Sequence, residues 1–266
     1  MAESRTLLAR FNCTNDTEVR CCHSFGSYFY VGGGPGGVVY RTKDGSAVSE
    51  FYRTGESFVT SINDFGNALF VGTSPSGKIF MHNFNTGNRF YYVTTGDYEV
   101  TAFCKHNDKL YVGTSPSGLV LSFDGDKWVN EYDSYGDGIN NLISFNGNLY
   151  VFIESGETIP CLTVDGWEFL KTDGAVFSLP AFKKVTTTLS SLEKNQNFDC
   201  YFGPSVSVGG KMYFAAGNRC SLYSFDGSKV EIVYQWSGTA IRAIESIADT
   251  QLVVSVDDLV YVCDLE

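Results

Sequence analysis

One segment recurs along most of this chain and limits what it can fold into. An aromatic-aliphatic strand, usually ending in Val-Gly, is followed by a turn rich in Gly and Pro, a second strand, and often Asp-Gly. It runs from 28 to 45 as YFYVGGGPGGVVYRTKDG, from 69 to 80 as LFVGTSPSGKIF, from 110 to 125 as LYVGTSPSGLVLSFDG and from 149 to 166 as LYVFIESGETIPCLTVDG. Weaker copies occupy 212 to 227 (MYFAAGNRCSLYSFDG) and 252 to 265 (LVVSVDDLVYVCDL).

The equivalent residues Val31, Val71, Val112, Val151, Phe214 and Val254 are separated by 40, 41, 39, 63 and 40 residues. A period of about 40 residues built from strands and turns is that of a propeller array. Between the first and second strands of the units lie Gly66-Asn67, Asn107-Asp108, Asn146-Gly147 and Gly209-Gly210, residue types that tolerate the positive φ of two-residue hairpin loops. Asp44-Gly45, Asp124-Gly125, Asp165-Gly166 and Asp226-Gly227 are expected to do the same between the third and fourth strands. The fold expected is therefore all-β, a six-bladed propeller of four-stranded antiparallel blades.

A four-stranded meander cannot bury both of its faces alone, so neighbouring units must stack, and a closed ring leaves only short, protected edges. The last unit ends just after its third strand, roughly 259 to 264 by period-2 reading. The strand-like run from Thr6 to Phe11 precedes the first unit without a place in it. This N-terminal run is expected to supply the missing outer strand of the sixth blade and close the ring.

With 43% apolar and 15% aromatic residues the 266-residue chain can bury a sizeable core, and one domain spanning 1–266 is expected. No apolar run approaches the roughly 18 residues of a membrane span. MAESRTLLARFN carries charges where a signal peptide needs an apolar core of about 7 to 15 residues. The expected location is the cytoplasm or a virion. A net charge of −11 argues against a sequence-independent grip on nucleic acid, and the longest basic run, Lys183-Lys184, reads as a solvated pair. The eight cysteines, at 13, 21, 22, 104, 161, 200, 220 and 263, lack paired Cys-x-x-Cys spacing, so reduced, mostly buried thiols are expected and zinc is not. The Asn12-Cys13-Thr14 and Asn15-Asp16-Thr17 glycosylation patterns carry no weight without secretion.

The chain resembles the broad six-bladed β-propeller class, and in detail looks like kelch-type and related bacterial or viral propellers. Leu110-Tyr111-Val112-Gly113 and the later Phe123-Asp124-Gly125-Asp126-Lys127-Trp128 carry the resemblance, which covers nearly the whole chain; the glycine pair of a true kelch repeat occurs after this strand's Val only at Gly32-Gly33. It implies a fold and, by itself, no function.

The 63-residue spacing places an insertion of 23 residues beyond the period between Lys171 and Tyr201, at about 172–200. It joins the outer strand of one blade to the inner strand of the next. In an up-and-down blade such loops share a ring face with those linking second to third strands, Gly34-Pro35-Gly36, Ser74-Pro75-Ser76-Gly77 and Ser115-Pro116-Ser117-Gly118. The insertion carries Val176, Phe177, Leu179, Phe182, Val185, Leu189 and Leu192, too apolar for a plain solvated linker. Two roles are open: contact with a partner or capping of the channel, and packing onto its own blade. Tyr91, Tyr92, Tyr98, Tyr132 and Tyr135 fall in or beside outer strands and connecting loops, where aromatic rings stack on sugars or anchor a protein. The expected binding residues are Pro35, Pro75, Pro116, Phe177, Phe182 and Tyr135.

Catalytic signals are weak. His23, His82 and His106 have no nucleophile motif beside them, and a Ser-His-Asp arrangement would have to be assembled across blades. Asp133-Ser134-Tyr135-Gly136-Asp137-Gly138 and Asp257-Asp258 offer oxygen ligands without EF-hand spacing. No catalytic residue, metal ligand or cofactor is expected. The leading reading is a non-enzymatic binding or assembly module with a protein partner on the loop face bearing the insertion. A composition rich in Gly, Ser, Thr, Asn, Tyr and Phe resembles virion-associated proteins. A glycan-binding propeller and a propeller hydrolase or lyase are the alternatives: a ring of exposed aromatics at equivalent blade positions would favour the lectin, a convergent polar cluster at the channel mouth the enzyme.

Overall fold

Tight turns generate the architecture. At Asn107-Asp108 both residues have positive φ (44° and 57°), and His106 pairs directly with Lys109 across them. This turn geometry matches the right-handed twist of the strands that it joins. Phe65 and Ala68 flank Gly66-Asn67 in the same way, and Phe145 and Asn148 flank Asn146-Gly147. The computed structural model describes residues 5–10, 18–43, 47–87, 90–154, 158–171, 202–216, 220–226, 229–237, 240–247, 250–257 and 259–265. Among them are 24 strands, numbered here in chain order, which form six four-stranded antiparallel sheets. The chain is an all-β six-bladed propeller.

The first strand of each blade lines a central channel: β2 (Glu18–Phe25), β6 (Phe58–Phe65), β10 (Glu99–His106), β14 (Ile139–Phe145), β18 (Phe202–Val208) and β22 (Ile241–Ile247). In all six the pairing with the second strand slips near the start, between Val19 and Cys21, Val59 and Ser61, Val100 and Ala102, Ile139 and Asn141, Phe202 and Ser205, and Ile241 and Ala243. A bulge bends a strand and re-aims the extra residue. Here it allows an aliphatic residue to face the neighbouring blade while the next residue, such as Arg20, Thr60 or Arg242, lines the channel.

The repeated Val-Gly finds its reason in that packing. The sequence pattern has this dipeptide ending the strand, but Gly32, Gly72 and Gly113 lie inside β3 (Tyr28–Gly34), β7 (Ala68–Ser74) and β11 (Lys109–Ser115). A Cβ on them would stand 2.2 Å from Val59, 2.5 Å from Val100 and 2.6 Å from Ile139, the inward aliphatics of the following blades. The glycine therefore lets a β-branched side chain press against the backbone. Apolar clusters between neighbouring blades follow, such as Tyr30, Val39, Val59, Leu69 and Phe80 between the first and second and Val19, Val31, Ala243 and Val253 between the first and sixth. Gly72→Ala is expected to destabilise by about 1–3 kcal/mol through overpacking against the Ser61 hydroxyl and the stiff Val100, outweighing the smaller gain from a less flexible unfolded chain. Urea denaturation checks this, and an unchanged midpoint would contradict it.

The ring closes as the repeat predicts. The strand β1 (Arg5–Arg10) pairs with β24 (Leu259–Asp264), from Arg5 opposite Cys263 to Arg10 opposite Leu259, and is the outer strand of the sixth blade. The third-to-fourth turns correct the expectation. Asp124-Gly125-Asp126-Lys127 is a four-residue loop in which the Asp124 carboxylate accepts the Asp126 and Lys127 amides at 3.0 Å each. Val164-Asp165, not Asp165-Gly166, forms the two-residue turn, with Thr163 paired to Gly166. Asp124 and Asp226 accept hydrogen bonds from the turn backbone, whereas the Asp165 amide donates to the Thr163 hydroxyl at 3.2 Å. Gly45 and Gly227 lie outside the described residues. Among the described residues no helix is long and apolar enough to cross a membrane.

Candidate functional site

Loops between second and third strands share one ring face with those between blades, and hydrogen bonds weld the two kinds together. In the first three blades the residue after the outer strand gives its amide to the glycine carbonyl that closes the proline loop: Thr54 to Gly37 at 3.1 Å, Thr95 to Gly77 at 3.0 Å and Ser134 to Gly118 at 3.0 Å. Thr54 and Thr95 add their hydroxyls to the same carbonyls at 2.8 and 2.9 Å. An acid two residues on then reaches the next blade. Glu56 pairs with Lys78 at 2.6 Å and is hydrogen-bonded by Ser76; burial pushes its carboxyl pKa up, but these partners hold it below the usual carboxylate range. Asp97 accepts the Ser117 amide at 3.0 Å and the Thr114 hydroxyl at 2.7 Å.

These welds place the expected binding residues. Pro35, Pro75 and Pro116 are exposed on this face, each after a cis peptide bond. Tyr135 is 92% exposed and has φ of +59°, an uncommon backbone for an aromatic residue. Its amide donates to Asp133 at 2.7 Å, and the Gly136 amide donates to the Ser117 carbonyl at 3.0 Å, so the loops bearing Tyr135 and Pro116 are joined. Tyr98, on the preceding inter-blade loop, is also exposed. Phe177 and Phe182, with the rest of the insertion, lie outside the described residues, but the strands flanking it, β17 (Gly166–Lys171) and β18, open onto this face by their connectivity. Tyr91 and Tyr92 are exposed on the outer strand β9 (Phe90–Thr94), whereas Tyr132 stacks on Trp167 of the next blade with ring centroids 5.3 Å apart.

Inside the ring the channel has a volume of about 450 Å³, within the range of small-molecule sites. Towards the end opposite the proline loops, a chain of charges crosses four blades. His23, 3% exposed, has Nδ1 3.0 Å from Glu245 and Nε2 2.7 Å from Asp64, and Asp64 also accepts Lys105 Nζ at 2.9 Å. Ionised carboxylates only accept, so both ring nitrogens must carry protons and the group is an imidazolium. Burial pulls the His23 pKa down, but Glu245 and Asp64 outweigh it and raise it to about 9. Burial pushes Asp64 up, yet His23 and Lys105 hold it below its usual value.

No family model matches this chain, and no curated protein matches it. Solved structures do. It superimposes on a streptogramin B lyase with a TM-score of 0.73 at 11% identity, covering 99% of this chain and 98% of that one. A catalytically inactive virginiamycin B lyase from Staphylococcus aureus with quinupristin gives 0.72 at 10% identity, covering 99% of each chain. The WD40 propeller domain of Doa1 gives 0.65 at 12% identity, covering 99% and 98%. At these identities the likeness is one of fold.

The other candidate groups are held in the interior. Asn107 donates its amide to His106 Nε2 at 3.0 Å, leaving Nδ1 protonated to donate to Ser144 at 2.9 Å, and burial lowers the His106 pKa. His82 packs edge-on against Phe51 and Phe84, its pKa lowered by burial and by Arg41. Burial pushes the thiols of Cys21 and Cys22 up, away from thiolate chemistry. Among the described residues no group of three or more His, Cys, Asp or Glu is placed to hold a metal ion. Glu245, Asp64 and Lys105 were not singled out from sequence. A signal was there: His23, Asp64 and Lys105 are 41 residues apart in turn, so they occur at neighbouring heights on successive first strands.

Proposed function

We propose that this propeller is a binding module that takes a protein partner on the face carrying the proline loops and the inter-blade loops. The observation behind this reading is Tyr135. A large aromatic side chain left 92% exposed, on a left-handed backbone fixed by hydrogen bonds to the adjacent proline loop, is pre-organised for contact. Tyr98, Pro75 and Pro116 extend the surface across neighbouring blades. Glu56 and Asp97 beneath it are occupied by loop hydrogen bonds, so affinity rests on the apolar and aromatic groups. The apolar insertion at about 172–200 belongs to the same surface in this proposal.

Exposed aromatics on the described inter-blade loops are confined to Tyr98 and Tyr135, which favours a protein contact over a sugar-binding ring. The channel's polar cluster is internally paired, which favours a structural role for it over chemistry. The Gly, Ser, Thr, Asn, Tyr and Phe content supports a partner within a virion, and the aromatic-Val-Gly strand, as in Leu110-Tyr111-Val112-Gly113, supports a kelch-type origin of the repeat.

The test is quantitative cross-linking and titration of the partner recovered from the native source. Replacing Tyr98 and Tyr135 together by Ala is expected to weaken binding about tenfold or more, the effect of removing central aromatic anchors, while leaving the melting temperature in place. Equal affinity of the double variant would move the binding surface elsewhere.

A further inference from the structure

We infer that the channel, besides any partner on the loop face, binds a small molecule through a carboxylate or phosphate group, with Arg242 as its anchor. The cations of the channel wall differ in one respect. Arg20 lies 3.4 Å from Glu18 and 3.9 Å from the centre of the Phe58 ring; Lys105 and His23 share Asp64, and His23 also meets Glu245. Arg242 lines the same channel and its side chain is exposed to it, yet no carboxylate or carbonyl among the described residues accepts from it. It stands at the bulge of β22, the level occupied by Arg20 on the next blade and by Asn140 on β14.

At this level Arg20 is met by Glu18 and faces Glu99, which leaves Arg242 as the cation whose donors are spare among the described residues, inside a protein of net charge −11. A guanidinium has five N–H groups in a planar fork that matches carboxylate and phosphate, and an oxyanion neutralises it where water only solvates it. The volume of about 450 Å³ admits a metabolite-sized ligand and no folded partner. The Asn140 side-chain amide lines the same wall and offers further donors.

Isothermal titration of the full chain with inorganic phosphate and, separately, with citrate, at ionic strength held constant by sodium chloride, tests this. Saturable one-to-one binding of either probe, with a dissociation constant of about 1 mM or tighter, is expected. Phosphate alone would assign a phosphoryl ligand, and citrate alone a carboxylate. Arg242→Ala should weaken binding about tenfold or more, and Arg242→Lys should fall between, because it keeps the charge and loses the fork. Arg242→Gln, which preserves bulk, serves if the alanine variant melts early. Absence of binding by both probes, or binding unchanged in the Arg242 variants, would overturn the inference. Tyr98→Ala with Tyr135→Ala should leave it intact, so failure of the loop-face proposal and failure of this one are separable.

Discussion

A chain without residues 1–10 is expected to melt on the order of 10 °C lower or more and to self-associate. The deletion removes β1 and with it the ladder from Arg5–Cys263 to Arg10–Leu259. With about 1 kcal/mol net for each hydrogen bond lost, several kcal/mol go. For a chain of this size each kcal/mol is worth roughly 2–4 °C. The second consequence is an open edge. Val260 to Cys263 of β24 would present unpaired backbone along an apolar strand, a template for pairing with another chain. Calorimetry and light scattering read both effects. A truncated protein that stays monomeric with an unchanged melting curve would show that β1 does not close the ring.

His23→Ala should have an effect of similar size at neutral pH. It leaves Asp64 and Glu245 facing the vacated position without the cation between them, and breaking such a buried arrangement typically costs about 3–5 kcal/mol. Its pH dependence has a definite sign. The folded protein holds the His23 proton with a pKa of about 9 against 6.5 for an ordinary histidine, so the folded state binds that proton more tightly. The stabilisation is complete below about pH 6.5 and is lost as pH rises through about 9, in total about 3 kcal/mol. His23→Gln keeps polarity and cannot charge. Urea midpoints at pH 6 and pH 9.5 should fall further in the parent than in this variant. Parallel pH profiles would show that His23 does not titrate in that window.

The six-fold repeat, the two-residue hairpins and the closing strand were legible because each is a local demand of the backbone. Asn107-Asp108 must turn wherever its blade is placed, and a spare strand must find an edge. What Gly72 does was not legible, because the atoms that forbid its side chain belong to Ser61 on the paired first strand and to Val100 in the next blade. The channel cluster was hidden for the same reason. Asp64 and Glu245 read as two among 30 acidic residues until the ring brings them to either side of His23. Tyr135 stood out as an exposed aromatic, but its fixed orientation depends on a hydrogen bond from Gly136 to Ser117, in the neighbouring proline loop of the same blade. Phe177 and Phe182 stand out by apolarity alone and lie outside the described residues.

The acids that weld the loop face also define the unit by which such a ring can grow. Glu56 precedes the first strand of the second blade and fastens the Ser76–Lys78 loop of that blade, and Asp97 does the same for Thr114 and Ser117 of the third. A duplication that starts at Gly55 or Gly96 copies the acid together with the loop it fastens, and leaves Thr54 or Thr95 with its own. One that starts at the first strand separates them and leaves a copy whose proline loop depends on whatever precedes it. A unit that keeps every latch with its loop is therefore offset from the visible blade by part of one inter-blade loop.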